Sequence, residues 1–334
     1  MKTMIISAAT LSLCSLASAQ IVVDGTAEAA YGAAKAVQTV QTQFGDSNLG
    51  VIDYANGSEC DAGYAVIQDG YLYIVIAGNL ESNFNKMEVF VDCKAGGQNR
   101  LLGNNVDVDF NGLNRMGESP AGAGNGLTFD QGVEPDFWFS ATCGGSPWAM
   151  YLNWAELPTA GAGVGGYLGT AGSGGTVVGA NGVEAAINNI NAAGVAGGTQ
   201  AGDGSGVTTG VELKIPLALI GYTSGQIKIC AFVNGGGHDY LSNQVMGGCA
   251  PDTGNLAEPR LVNFALLSGD QFFTVGAATN PCPGDFDGNG LRDGGDLGQL
   301  LGSWGQPGVT DLNGDGTTDG ADLGQLLGSW GPCP

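Results

Sequence analysis

The feature that most constrains this chain is a duplication near its end. The string GGDLGQLLGSWG at 294–305 returns as GADLGQLLGSWG at 320–331, an offset of 26 residues. An acidic loop precedes each copy. The first carries Asp285, Asp287, Asn289, Gly290, Asp293 and Asp296, and the second Asp311, Asn313, Asp315, Gly316, Asp319 and Asp322. Counted from the leading aspartate, these fall at loop positions one, three, five, six, nine and twelve. A hard cation needs that spacing, because alternate side-chain oxygens converge while glycine at six allows a sharp turn. A backbone carbonyl, from Leu291 or Thr317, fills position seven. Next come Leu297, Leu300, Leu301 and Trp304, then Leu323, Leu326, Leu327 and Trp330, each set an i, i+3, i+4, i+7 helical stripe. Neither helix buries such a stripe alone, so the two are expected to pack about a pseudo-twofold axis. A lone acidic loop also reads as a solvated turn. Two in tandem, each feeding a matched helix, predict two bound calcium ions.

This duplication, over about 281–334, resembles a dockerin of the type I kind, a small α-helical domain with two EF-hand-type calcium loops. The resemblance implies a fold that forms on calcium binding and docks into a cohesin-like protein or another cell-surface or extracellular partner. Such dockerins usually read their partner through polar residues at loop positions ten and eleven, where this chain has Gly294, Gly295, Gly320 and Ala321. Cys282 and Cys333 flank the repeat, each between prolines. A twofold-related pair of units brings its ends together, so a disulfide is expected there. Closing a loop of that size stabilises by about 4 kcal/mol in the chain-entropy model.

At the other end, Lys2, an apolar run and Ala17-Ser18-Ala19 read as a signal peptide over 1–19, cleaved before Gln20. The apolar run is too short for a membrane span. A secreted, extracellular protein, attached to a cell surface in one version, is the expectation. The net charge of -22 argues against nucleic acid, which is bound by neutralising phosphates with Lys and Arg. Setting Cys14 aside with the signal leaves Cys60, Cys93, Cys143, Cys230, Cys249, Cys282 and Cys333, an odd number, so at least one is outside any internal pair. An exported chain favours disulfides for the others.

Residues 20–280 read as mainly β. The 61 glycines oppose a helical protein. Residues 71–76, 87–91, 137–141, 148–154, 207–213, 226–233 and 271–275 are β-branched or aromatic runs bounded by turn residues, which predicts a sandwich of jelly-roll or immunoglobulin-like type. Residues 159–210 are dominated by Gly, Ala, Ser and Thr and are expected to form a long insertion without a core of its own. Val23-Asp24-Gly25, Leu72-Tyr73-Ile74, Phe90-Val91-Asp92 and Glu212-Leu213-Lys214-Ile215-Pro216-Leu217 resemble the strands of family-nine carbohydrate-binding modules and DOMON-like sandwiches. With Asn83-Phe84-Asn85-Lys86 and the segment 238–244, the body resembles secreted bacterial proteins of unassigned function that end in different sorting tags. That implies a fold and a location, not a reaction.

Chemistry in this region is sparse. Asp107, Asp109, Asn111 and Glu118, with Gly112 at loop position six, match a second metal-loop pattern, although no amphipathic helix flanks it. An acidic turn between strands is the simpler reading. Trp138, Trp148, Tyr151 and Trp154 offer aromatic faces to a sugar ring, against the plainer reading of core filling. His238, the single histidine, follows three glycines and has no adjacent nucleophile, so it reads as a loop hydrogen-bonder. A glycosidase needs two opposed carboxylates, and no local arrangement singles out a pair. The function expected is a secreted, non-catalytic binding or structural protein attached through a calcium-dependent tail, with polysaccharide as a candidate ligand. The rivals are a polysaccharide-degrading enzyme or accessory protein displayed by its tail, and a component of an extracellular matrix or surface layer.

Overall fold

The computed structural model describes residues 20–44, 57–191, 195, 204–276, 282–287, 289–313 and 315–333. The expected signal peptide lies outside them. The chain divides into two compact units, residues 1–276 and 277–334, close to the boundary read from the sequence.

The larger unit is built on two antiparallel sheets. Strands β1 (Ala36–Val37), β2 (Glu59–Gln68), β3 (Tyr71–Asn79), β8 (Thr176–Val178), β9 (Glu184–Ile187) and β10 (Gly210–Pro216) form the first, in the order β1-β2-β3-β10-β9-β8. The second contains β4 (Lys86–Asp92), β5 (Phe137–Gly144), β6 (Ala149–Glu156), β7 (Gly165–Ala171), β11 (Ile227–Asn234) and β12 (Leu241–Val245). Its order is β12-β11-β4-β5-β6-β7, with β13 (Phe273–Val275) also on β11. All seven runs expected from the sequence are strands here. Side chains alternate across a strand, and that alternation sorts the molecule into layers. Ile74 and Ile76 of β3 meet Met87, Val89 and Val91 of β4 in the core between the sheets. The opposite face of β4 carries Lys86, Glu88 and Phe90. Phe90 joins Trp138, Phe232, Leu113 and Phe129 in a second core, where loops and the short helix α1 (Gly112–Met116) cover the sheet; another short helix, α2 (Leu217–Ile220), follows β10.

A third cluster lies on the outer face of the first sheet, where the N-terminal segment folds over Tyr64, Tyr73 and Val75. Glu212 fixes it. Its buried carboxylate accepts hydrogen bonds from the Asp24 and Gly25 amides at 2.9 and 2.8 Å and from the Tyr31 hydroxyl at 2.5 Å. Gly25 has φ +85°, and a Cβ there would lie 2.4 Å from the Asn188 nitrogen. The phrases around Val23-Asp24-Gly25 and Glu212 are therefore two halves of one contact.

The Gly/Ala-rich stretch departs from expectation. Instead of a coreless insertion, it supplies β7, β8 and β9, and Val177, Val183, Ala185 and Ile187 enter the main core. Backbone pairing needs no large side chain, so a run poor in apolar residues still extends both sheets.

In the smaller unit, the loops lead into helices α3 (Gly294–Gly302) and α4 (Gly320–Gly328). Each begins with a capping box, Asp293 with Asp296 and Asp319 with Asp322. The loops are tied reciprocally. Leu291 and Arg292 pair with Pro332 and Gly331 beyond α4, while the Gly305 amide beyond α3 donates to the Thr318 carbonyl at 2.9 Å. Arg292 adds hydrogen bonds to the carbonyls of Pro283 (2.8 Å) and Ser329 (3.0 Å). The apolar stripes are only partly used. Leu300 and Leu326 are buried, whereas Leu301, Trp304, Leu327 and Trp330 are about half exposed.

Cys282 and Cys333 form the expected disulfide. The other cysteines depart from expectation: Cys60, Cys93, Cys143 and Cys230 are buried thiols and Cys249 is a partly buried one. Each is enclosed by packed strands or loops, and burial pushes the Cys249 thiol up to about 11. Thiol labelling of the native mature protein should therefore modify Cys249 at most, slowly. Denaturant should expose five reactive thiols, with Cys282 and Cys333 recovered as one linked peptide pair.

Candidate functional site

Two places gather chemistry. The first is the pair of acidic loops, whose hydrogen bonds repeat residue for residue. In the first loop, Asp285 accepts from the amides of Asn289 (3.2 Å) and Gly290 (2.9 Å), and Asn289 Oδ1 accepts from Leu291 N (2.7 Å). In the second, Asp311 accepts from Asp315 N (3.2 Å) and Gly316 N (2.7 Å), and Asp315 Oδ1 accepts from Thr317 N (3.0 Å). Asp296 and Asp322 are buried at the base of the helices. Asp296 accepts from the amides of Phe286 (2.6 Å) and Asp293 (2.8 Å), and Asp322 from Leu312 and Asp319, both at 2.7 Å. For Asp296, burial raises the pKa but these amides outweigh it and hold the carboxyl below its usual range. Both position-twelve groups are thus kept ionised and aimed inward.

Carboxylate oxygens of Asp285, Asp287 and Asp296 all lie within 4.8 Å of one another. Close like charges on an oxygen-only donor set fit a hard divalent cation, with Asn289 and the Leu291 carbonyl completing the ring. The second loop holds Asp311, Asn313, Asp315, Thr317 and Asp322 at the equivalent positions, with carboxylate and amide exchanged between positions three and five, and among the described residues its carboxylates are not drawn together within that distance. Asp293 and Asp319 turn toward the Gly295 and Ala321 amides, each at 2.8 Å, as helix caps.

The second place lies on the outer face of the second sheet and was only partly legible. His238 Nδ1 is 2.7 Å from Glu88 Oε1, and Glu88 Oε2 accepts from Trp138 Nε1 at 2.8 Å. Lys86 Nζ donates to Thr142 Oγ1 (2.9 Å) and Asp109 Oδ2 (3.1 Å), and Ser140 Oγ donates to the same Asp109 oxygen at 3.2 Å. His238 Nε2 lies 3.1 Å from Asp109 Oδ2, close in charge but off the line of a good hydrogen bond. The side chains of Lys86, Glu88, Asp109 and His238 are 2, 0, 6 and 1% exposed. Four ionisable groups are therefore buried, and they balance as two cations and two anions when His238 is protonated.

Burial raises Asp109, but His238 and Lys86 outweigh it and hold the carboxyl at about 2. Burial lowers His238, but Glu88 and Asp109 outweigh it and lift the imidazolium to about 9.

This network corrects two readings and agrees with a third. Asp107, Asp109 and Glu118 are not gathered into one cluster among the described residues. Asp109 already faces two cations, Asn111 bonds Asn114, and Glu118 accepts from the Gly124 amide. Gly112 is needed for a different reason, since a Cβ there would lie 2.5 Å from the His238 ring. Trp138 is wholly buried and holds Glu88, so it offers no face to a sugar; Trp148 and Trp154 lie partly buried against the main core. His238, read as a loop hydrogen-bonder, is one, reaching Glu88 from the turn after β11.

Beside the network opens a cavity of about 610 Å³, with Lys86, Asp109 and Thr142 on its wall and Tyr151 among its rings. No helix among the described residues is long and apolar enough to cross a membrane. Comparison of the chain with protein-family models, curated proteins and solved structures returned no match.

The His238 linkage has a defined sign. Its pKa rises from 6.5 to about 9, so the stabilisation is complete below pH 6.5 and is lost as pH rises through 9. The contribution is on the order of 3 kcal/mol. Glu59 and Glu212, raised by burial to about 8 and about 7, lose stability in the same direction. The measurement is therefore a difference. The unfolding free energy of the larger unit should fall more steeply between pH 6.5 and 9.5 in wild type than in His238→Gln.

Proposed function

We propose that this is a secreted, non-catalytic binding protein whose C-terminal unit is a dockerin-like calcium module and whose sandwich binds a glycan. The observation that carries the reading is the residue-for-residue repetition of two oxygen-lined loops, each leading into a capped helix. Eight aspartates and one arginine lie in 283–334, so two divalent ions would relieve most of the repulsion. A unit with only Leu300 and Leu326 fully buried among its helix leucines has little core, and units of this size rely on metals or disulfides. Coupling of metal binding to folding follows.

Attachment to a partner is supported by the half-exposed pairs Leu301/Trp304 and Leu327/Trp330, apolar surface that the unit itself leaves uncovered. A cohesin-like or other extracellular protein is the proposed partner. The signal-peptide pattern supports export. Binding is favoured over hydrolysis because Asp109 is the one carboxylate among the described residues on the cavity wall, whereas glycoside hydrolysis needs two. A matrix or surface-layer role has no observation of its own.

Titration of the metal-free mature protein with calcium, followed by calorimetry, should give two ions per chain. Asp285→Ala and Asp311→Ala should each remove one and weaken the other at least several-fold through the reciprocal loop ties. A stoichiometry below two in wild type, or unchanged binding in both variants, would sink the calcium reading.

A further inference from the structure

We propose that the cavity on the second sheet is the glycan site, and that it takes one or two rings of a neutral saccharide. The proposal rests on the glycan-binding part of the function above and adds the location and the ligand class. At about 610 Å³ the cavity falls in the usual range for small-molecule sites, about 300–1,000 Å³. Its floor is the sheet itself. Lys86, Thr142 and Tyr151 form a cross-strand row over β4, β5 and β6, and Asn153 stands opposite Tyr167 of β7.

Aromatic rings frame the opening. Phe110 is 95% exposed, Tyr167 57% and Phe84 50%, and all three line the cavity with Tyr151. Phe84 and Phe110 sit at φ +68° and +56°, a strained region that bulky residues rarely adopt. Asp109 and Asn111, on either side of Phe110, are left-handed as well. The backbone holds these rings outward at a cost, while comparable phenylalanines are buried in the cores. Flat apolar faces around a polar floor suit a pyranose, which has C–H faces and a rim of hydroxyls.

The floor supplies the matching polar pattern. The contacts of Lys86, Ser140 and His238 with Asp109 all fall on Oδ2, leaving Oδ1 as an acceptor beside the Lys86 ammonium. A vicinal diol answers both groups, donating one hydroxyl to the carboxylate and accepting at the other from the ammonium. The Asn153 amide and Tyr151 hydroxyl can extend the pattern to a neighbouring ring. Neutrality follows from the charges. The buried cations are already matched by Glu88 and Asp109, Asp109 faces the cavity ionised, and the chain carries -22, so an acidic sugar meets repulsion without a spare cation.

The test uses the full mature protein with calcium and five soluble probes: the tetrasaccharides of β-1,4-glucose, xylose, mannose and galactose, and tetragalacturonate. Calorimetry and saturation-transfer NMR should show binding of at least one neutral probe, with tetragalacturonate at least ten-fold weaker. Tyr167→Ala and Phe110→Ala alter exposed rings and should weaken that binding at least ten-fold without moving the unfolding midpoint. Asp109→Asn should abolish it. Neutral binding unchanged in both aromatic variants would leave a glycan-binding protein but remove this cavity as its site. Tetragalacturonate bound as tightly as the neutral probes would overturn the ligand class. No binding of any probe by wild type would overturn both the site and the glycan reading.

Discussion

Lys86, Glu88, Asp109 and His238 are buried on one face of a sheet, and that burial sets terms for everything around them. An isolated charge in such surroundings is costly enough to neutralise or to unfold the site. The four are tolerated because each cation meets an anion and Trp138, Ser140 and Thr142 add hydrogen bonds to Glu88, Asp109 and Lys86. Three segments must therefore arrive in register: strand β4, the left-handed turn at 109–111, and the glycine-rich loop after β11. The pairing of Asn234 with Lys86 brings that loop to the right end of the sheet. Gly112 then leaves room for the imidazole against the start of α1. A change in any of these would strand a charge.

The same arrangement separates scaffold from opening. Between the sheets the core is apolar throughout, and beyond Phe90 the outer face is covered by a second apolar cluster. Only toward the Lys86 end does the cover stop, leaving polar side chains and rings at the surface. The rigid part and the open part belong to one sheet, read at opposite ends of the same strands.

How much of this could be read beforehand depended on distance along the chain. The loops at 285–296 and 311–322 carry all their acidic groups within one turn and helix, so spacing alone located them. The seven strand-like runs were equally local. The Gly/Ala-rich strands were missed because a strand can pair through backbone alone, leaving no apolar pattern to detect. The charge network was missed because its members lie at 86, 88, 109 and 238, and only the pairing of β4 with β11 unites them. The look-alike loop at 107–118 shows the opposite hazard. Its glycine makes room for a histidine ring rather than a calcium turn, and a pattern of residue types cannot tell those two needs apart.

The disulfide between Cys282 and Cys333 has a topological consequence for anything held by the tail. It makes the repeat a closed ring of chain. A load arriving at Cys282 reaches α3 and α4 by two covalent routes, one forward through the first loop and one across the disulfide and back from Cys333. One break in the backbone anywhere between the two cysteines opens the ring without releasing either piece. A unit closed in this way survives a first proteolytic cut and loses a piece only at the second.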